Sequence, residues 1–170
     1  GWEYSPDAGT PWAAAGADSS PFSITSLSSD VDARLVNGEN YTVIVRAASA
    51  AGVGAASGPR ILTPRAVPAQ PVTSLTALDG AVSVAFSVAD DGGSPVLDLQ
   101  YSLNGAPFVS TGTLSTPFVL TGLTNGQLAT IELRAVNVSG PSAVSDARSA
   151  TPRTVPGAPT GVAVVSSNAL

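Results

Sequence analysis

Several short stretches of this chain alternate between apolar and polar residues, which is the pattern of strands with one buried face. The alternation predicts three inward faces, made by Val82, Val84, Phe86 and Val88, by Leu97, Leu99 and Tyr101, and by Ile131, Leu133 and Ala135. Val96, Asp98, Gln100, Glu132 and Arg134 are predicted to lie on the opposite faces. No stretch has the periodicity of a helix, so the pattern predicts an all-β protein.

Turn-forming residues separate the predicted strands, at Asp79-Gly80, Asp91-Gly92-Gly93, Asn104-Gly105 and Asn125-Gly126. Gly and Asn accept the positive φ that tight turns require. Seven short strands with a turn roughly every 8–12 residues are typical of an antiparallel sandwich of two sheets.

The chain contains an internal repeat. Residues 37–71 match residues 125–159 without a gap, at an offset of 88 residues. Upstream, residues 21–27 match residues 117–123 at an offset of 96, so the first copy has eight extra residues. These fall in the polar stretch 28–36, which is predicted to be a loop insertion. A long match of this kind indicates tandem modules.

The repeat predicts a module at residues 1–65 that lacks its first two strands, a complete module at 66–154, and the first strand of a third at 155–170. We expect five strands in the first module, seven in the second and one in the third. The favoured explanation is that the chain is one stretch of a longer polypeptide. The alternative is that a neighbouring chain covers the gap, with the strand near residues 161–165 donated as in fibres.

Three segments in order resemble the fibronectin type III family in its bacterial form. Residues 156–162 look like the family's approach to its first strand, residues 89–96 like the loop between the second and third strands, and residues 37–47 like the corner and sixth strand. The resemblance implies tandem seven-stranded, immunoglobulin-like β-sandwiches. Phe86 stands where the family usually has Trp, and the family's corner Tyr is present as Tyr41 but is replaced by Ala129 in the second copy.

Composition excludes several functions. Charged residues make up 11% and hydrophobic residues 44% of the chain, which is too apolar for a disordered protein. There is no Cys, His, Met or Lys, so no side chain of the usual kind can activate a Ser or Thr nucleophile, and the best zinc and copper ligands are missing. The net charge of -5 argues against nucleic-acid binding, and no apolar run approaches the roughly 20 residues of a membrane span. We therefore expect no catalytic, cofactor-binding or metal site.

Two acidic pairs are the candidates for calcium, Asp90 with Asp91 and Asp30 with Asp32. Hard cations prefer clustered carboxylate oxygens. Asp and Gly also form turns without any metal, and the regular Asp ladder of a calcium loop is missing, so the turn interpretation is favoured.

Three aromatic residues, Trp2, Trp12 and Phe108, are the candidates for a sugar-stacking platform. Trp2 matches Leu99 of the second copy, and Trp12 matches Phe108, so packing in the core or at a sheet edge is favoured. Asn40 and Asn137 begin sequences that fit the glycosylation motif, which two matches in a Ser/Thr-rich chain can produce by chance.

The leading functional prediction is a non-catalytic spacer, stalk or fibre shaft of a large exported protein, located outside the cell or on its surface. Its partners would be neighbouring modules of the same polypeptide or adjacent copies in a fibre. The alternatives are a carbohydrate- or protein-binding accessory module of a secreted enzyme or adhesin, and a decoration domain of a virion or phage tail.

Overall fold

The computed structural model describes residues 1–6, 11–16, 19–25 and 34–163. Regular secondary structure in these residues is antiparallel β-sheet, as the alternating pattern predicted. The strands are β1 (Trp2–Ser5), β2 (Ala13–Ala14), β3 (Tyr41–Ser49), β4 (Gly52–Val53), β5 (Arg60–Leu62), β6 (Val72–Leu78), β7 (Ala81–Ser87), β8 (Asp98–Leu103), β9 (Val109–Ser110), β10 (Phe118–Thr121), β11 (Ala129–Asn137), β12 (Gly140–Pro141) and β13 (Arg148–Ala150).

The strands fall into two groups along the chain. The first strand group, β1 to β5, forms one sheet in the order β2-β1-β3-β4, with β5 also paired to β3. The second strand group, β6 to β13, forms a three-stranded sheet in the order β10-β7-β6 and a five-stranded sheet in the order β12-β11-β8-β9, with β13 paired to β11. The second group therefore has the two sheets that a sandwich requires.

The two groups repeat the same strand pairing. Glu3 pairs with Arg46 between β1 and β3, and Gln100 pairs with Arg134 between β8 and β11. At the other edge Tyr41 pairs with Leu62, and 88 residues later Ala129 pairs with Ala150. The repeat that is visible in the sequence is thus also a repeat of hydrogen-bonding register.

The core of the second group lies between its two sheets. Its most deeply buried side chains come from β7, β8 and β11 and are Val82, Val84, Leu99, Ile131, Leu133 and Ala135. Phe86 packs against this cluster and meets Phe118 edge-on, with 6.2 Å between the ring centres. The inward faces predicted for β7 and β11 are confirmed, and Phe86 supplies an aromatic ring where the resemblance implies Trp.

The predicted face of β8 is wrong at its beginning. Leu97 is 63% exposed, whereas Val96, predicted to point outward, packs against the core. The strand begins at Asp98, and residues 94–97 form a bend and irregular backbone. Side chains alternate strictly only within a regular strand, so the alternation that holds from Leu99 onward cannot be extended back across the bend.

One predicted strand is not found where the repeat places it, and another is only partly within the described residues. Residues 22–25 match β10 but form no strand, and no described residue of the first group corresponds to β7, with which β10 pairs. A strand needs such a partner to satisfy its backbone groups. In the predicted first strand of the third module, residues 160–163 form no strand, and residues 164–170 lie outside the described residues.

The corner before β3 is tied by Tyr41, as the resemblance implies. Its hydroxyl oxygen accepts a hydrogen bond from the Val36 backbone N–H at 2.8 Å. Ala129 cannot make this bond, and the second group uses the side chain of Asn125 instead. Its Oδ1 accepts from Gly80 N at 2.8 Å and its Nδ2 donates to Asp79 Oδ1 at 2.7 Å. The first corner is thus held by a bond to Val36 just before it, and the second by bonds to the turn between β6 and β7.

Candidate functional site

The acidic pair Asp90 and Asp91 lies in the loop between β7 and β8. Oδ1 of Asp90 accepts a hydrogen bond from Gly92 N at 2.8 Å, and Oδ1 of Asp91 accepts one from Gly93 N at 2.9 Å. Both carboxylates therefore support the turn of their own loop. The other acidic pair, Asp30 and Asp32, lies outside the described residues.

Trp12 lies beneath an arginine on the outer face of the first sheet. The guanidinium carbon of Arg46 is 4.0 Å from the centre of the Trp12 ring. Arg46 Nε also donates to Glu3 Oε2 at 2.7 Å, which holds the guanidinium group in place. This geometry allows a cation–π interaction and makes Trp12 part of the sheet surface.

The second group repeats this arrangement with different residues. The guanidinium carbon of Arg134 is 4.4 Å from the centre of the Phe108 ring, and Arg134 Nε donates to Gln100 Oε1 at 2.8 Å. In both groups the arginine covers one face of the aromatic ring. Both rings are half-buried, and a sugar could stack only on the face opposite the arginine.

Trp2 does not join Trp12 in a platform. Trp2 and Glu3 are adjacent on β1, so their side chains point to opposite faces of the sheet. The Trp2 ring stacks on Phe22, with 6.5 Å between the ring centres. These two residues match Leu99 and Phe118, which are core residues of the second group. Trp2 therefore has a packing role.

Asn137 has a structural role that the sequence did not reveal. It is 4% exposed, and its Nδ2 donates to the backbone oxygens of Ala66 at 2.8 Å and Asp91 at 2.7 Å. Its Oδ1 accepts from Ser139 N at 2.8 Å. A buried and fully bonded amide is closed to a glycosylating enzyme. Asn137 instead fastens the end of β11 to the loop before β8 and to the connection between the strand groups.

The connection between the strand groups, residues 63–71, is hydrogen-bonded to both of them. The oxygen of Pro64 accepts from Gly38 N of the first group at 2.9 Å. Two residues later Ala66 N donates to Gly92 O of the second group at 2.8 Å. Arg65 alone separates these two attachment points along the chain. The signal in the sequence was the Thr-Pro-Arg repeat, but it did not identify the bonding partners.

Buried serines of the second group bond to backbone. Ser142 Oγ accepts from Ala135 N at 3.0 Å, and Ser145 Oγ accepts from Leu133 N at 2.9 Å. In the described ranges there is no group of three or more His, Cys, Asp or Glu side chains placed to hold a metal ion. Among the same residues no helix is long and apolar enough to cross a membrane.

Comparison with solved structures agrees with this architecture. Domains A168-A170 from titin match with a TM-score of 0.53 and 14% identity, over 88% of this chain and 53% of theirs. The FN1-FN3 domains of chicken CNTN1 match with a TM-score of 0.46 and 15% identity, over 90% of this chain and 55% of theirs. The chain has a fibronectin type III-like fold.

This chain spans about half the length of the titin and CNTN1 structures that it matches. Searches with protein-family models and against curated proteins return no match. Fibronectin type III-like domains are generally structural, non-catalytic modules of multidomain proteins. At 14% identity the likeness to titin establishes the fold alone.

Proposed function

We propose that this chain is a non-catalytic spacer in the stalk or fibre shaft of a large exported surface protein. It would consist of tandem fibronectin type III-like modules at residues 1–65 and 66–154, with the beginning of a third at 155–170. Its partners would be the neighbouring modules of the same polypeptide or adjacent copies in a fibre. No catalytic, cofactor-binding or metal site is part of the proposal.

The observation that carries this proposal is the bonding of residues 63–71 to both strand groups. A connection attached to one group at Pro64 and to the other at Ala66 leaves little freedom for the groups to swing. Proline further restricts the backbone there, because its ring fixes φ. A chain of modules joined in this way holds its two ends apart, which is the physical task of a spacer.

The outer faces of the sheets support the same conclusion. Trp12 and Phe108 are the aromatic residues best placed for a carbohydrate ligand, and Arg46 and Arg134 each cover one ring face. The serines at the edge of the second group are occupied with backbone bonds. These aromatic and serine side chains are thus engaged in contacts within the protein.

Replacement in the parent protein tests the spacer function. Residues 1–163 are exchanged for an unrelated pair of β-sandwich domains of the same end-to-end length, and separately for a pair half as long. A spacer predicts that the matched replacement retains the surface function of the parent and that the short one loses it. Loss with both replacements would overturn the proposal, because it would mean that the sequence itself is needed.

Glycan-array binding tests the competing function of a carbohydrate-binding module. We expect no glycan to be retained by the intact chain. Binding that is abolished by Trp12→Ala, and retained when Phe108 is replaced by Ala, would assign a ligand to the first group and overturn the spacer proposal.

A further inference from the structure

Backbone of the second strand group lies directly against backbone of the first at Gly93. Gly93, in the loop between β7 and β8, lies directly against Asn37 and Gly38, in the corner before β3. A Cβ atom added to Gly93 would be 2.2 Å from Gly38 N and 2.4 Å from the carbonyl carbon of Asn37. Real Cβ atoms do not approach backbone so closely, so residue 93 must be glycine for the contact to form.

Gly92 makes the matching approach to the connection between the groups. A Cβ atom there would be 2.3 Å from Ala66 O and 2.7 Å from Val67 O. Gly92 is buried, and its own oxygen accepts the hydrogen bond from Ala66 N. The two consecutive glycines thus contact two different parts of the chain. Gly92 lies against the connecting segment, and Gly93 lies against the corner of the first group.

The corner that receives Gly93 occurs twice with the same geometry. Gly38 has φ +85° and Gly126 has φ +81°. Gly38 N donates to Pro64 O and Gly126 N donates to Pro152 O, both at 2.9 Å. The repeat therefore reproduces the shape and the backbone hydrogen bond of the corner.

The two corners differ in what lies in front of them. A Cβ atom on Gly38 would meet the Cα of Gly93 at 3.1 Å, whereas a Cβ atom on Gly126 would meet nothing within 4 Å. Asn125, Gly126 and Gln127 are exposed. The Asn125-Gly126 corner of the second group thus has the same surface as the Asn37-Gly38 corner, which contacts Gly93, but no described residue covers it.

We propose that the Asn-Gly corner is a docking surface repeated in each module, and that its partner is a second copy of the Asp-Asp-Gly-Gly loop carried by the module that follows. The occupied copy, Asn37-Gly38 against Gly93, shows the fit. Asn125-Gly126 is the surface for the next copy. The contact is small, but a connection of a few residues keeps the partner at high effective concentration. This inference rests on the tandem arrangement in the proposed function and adds how successive modules are oriented.

The occupied contact is tested in the full chain by residual dipolar couplings, which report whether two groups share one orientation. We expect β3 and β11 of the wild type to fit a single alignment tensor. Gly93→Ala should require two tensors, because its methyl group displaces the corner. Gly38→Ala adds the methyl group on the first strand group instead. We expect it also to separate the alignment of β3 and β11, but less strongly, because its Cβ would be 3.1 Å from Gly93 Cα.

The matched control is Gly105→Ala, in the hairpin between β8 and β9. Gly105 has φ +77° and Gly93 has φ +76°, so both substitutions impose the same backbone conformation on alanine. A Cβ atom on Gly105 meets nothing within 4 Å. We expect this variant to keep the single tensor. A single tensor in Gly93→Ala, or two tensors in the wild type, would overturn the proposal.

The open corner is tested by fusing a second copy of residues 76–163 after Ala163, which keeps the repeat offset of 88 residues between successive modules. Docking predicts that the amide resonances of Gly126 and Thr154 shift relative to the unfused chain, and that alanine at the added copy's counterpart of Gly93 reverses the shifts. Unshifted resonances would overturn the docking surface. Shifts in the unfused chain that grow with concentration would assign the corner to self-association and also overturn it. These readouts do not depend on the parent's surface function, so failure of the spacer proposal would be seen separately.

Discussion

Arg46 lies over the ring of Trp12, with its guanidinium carbon 4.0 Å from the ring centre, and the pair is repeated by Arg134 over Phe108 at 4.4 Å. In the first pair the guanidinium group is also bonded to a carboxylate, Glu3, and in the second to a neutral amide, Gln100. Both groups therefore have an arginine over an aromatic ring. The residue bonded to that arginine is charged in the first group and neutral in the second.

This difference predicts different salt dependence. We expect Arg46→Ala to lower the free energy of unfolding by about 1 kcal/mol, through loss of the cation–π contact and the ion pair. The effect should shrink in 1 M salt, because screening weakens the attraction between Arg46 and Glu3. Arg134→Ala, which breaks no ion pair with Gln100, is the matched control and should show little salt dependence. Urea unfolding at low and high salt measures both, and equal salt dependence in the two variants would contradict the prediction.

Tyr41→Phe removes the acceptor of the Val36 N–H at the corner of the first group. We expect it to lower the free energy of unfolding by about 0.5–1.5 kcal/mol. A value near the lower end is expected because Tyr41 is half-buried and water can reach the freed N–H. Tyr101→Phe is the control, since the Tyr101 hydroxyl makes no hydrogen bond within the described ranges. Chemical denaturation compares the two, and an equal loss would mean that the corner bond contributes nothing.

We expect Ser145→Ala to lower the stability of the fold more than Ser57→Ala does at the matching position of the first copy. Ser145 is 4% exposed, and its Oγ accepts from the N–H of the fully buried Leu133. Leaving this N–H without an acceptor costs about 1–3 kcal/mol. Ser57 accepts from Val45 N at 3.1 Å but is exposed, so water can replace it in Ser57→Ala. Thermal unfolding of the two variants measures the difference, and a larger effect at Ser57 would be the contrary result.

Substitutions at Asp90 separate turn formation from calcium binding. Asp90→Asn retains an oxygen that can accept from Gly92 N, so we expect stability close to the wild type. Asp90→Ala removes the acceptor and should lower the free energy of unfolding by about 1 kcal/mol. Millimolar calcium should leave the Tm of all three proteins unchanged, since a bound ion would stabilise by mass action. A calcium-dependent rise in Tm that Asp90→Asn abolishes would establish a metal site instead.

Strand identity and repeat register could be derived from the sequence because both depend on local pattern. Ile131, Leu133 and Ala135 alternate with charged residues, and a strand must bury one of its faces in the core. The match of residues 37–71 with 125–159 predicted that the matching strands of the two groups pair in the same register. Register depends on side-chain alternation and turns, and both are repeated there. Tyr41 was identified as the corner residue from the resemblance, and its hydroxyl makes the expected backbone bond.

What the sequence left undecided depends on residues that are distant along the chain. Leu97 belongs to an alternating run, but a bend before Asp98 turns it to solvent. Residues 22–25 match strand β10 but form no strand, and no described residue of the first group corresponds to its partner β7. Asn137 fits a surface motif by its neighbours, yet contacts with Ala66 and Asp91 bury it. The need for glycine at position 93 arises from Asn37 and Gly38, more than 50 residues away. Local alternation determines which residues form strands, but only the packed chain decides which backbones meet, because steric contact depends on position in space.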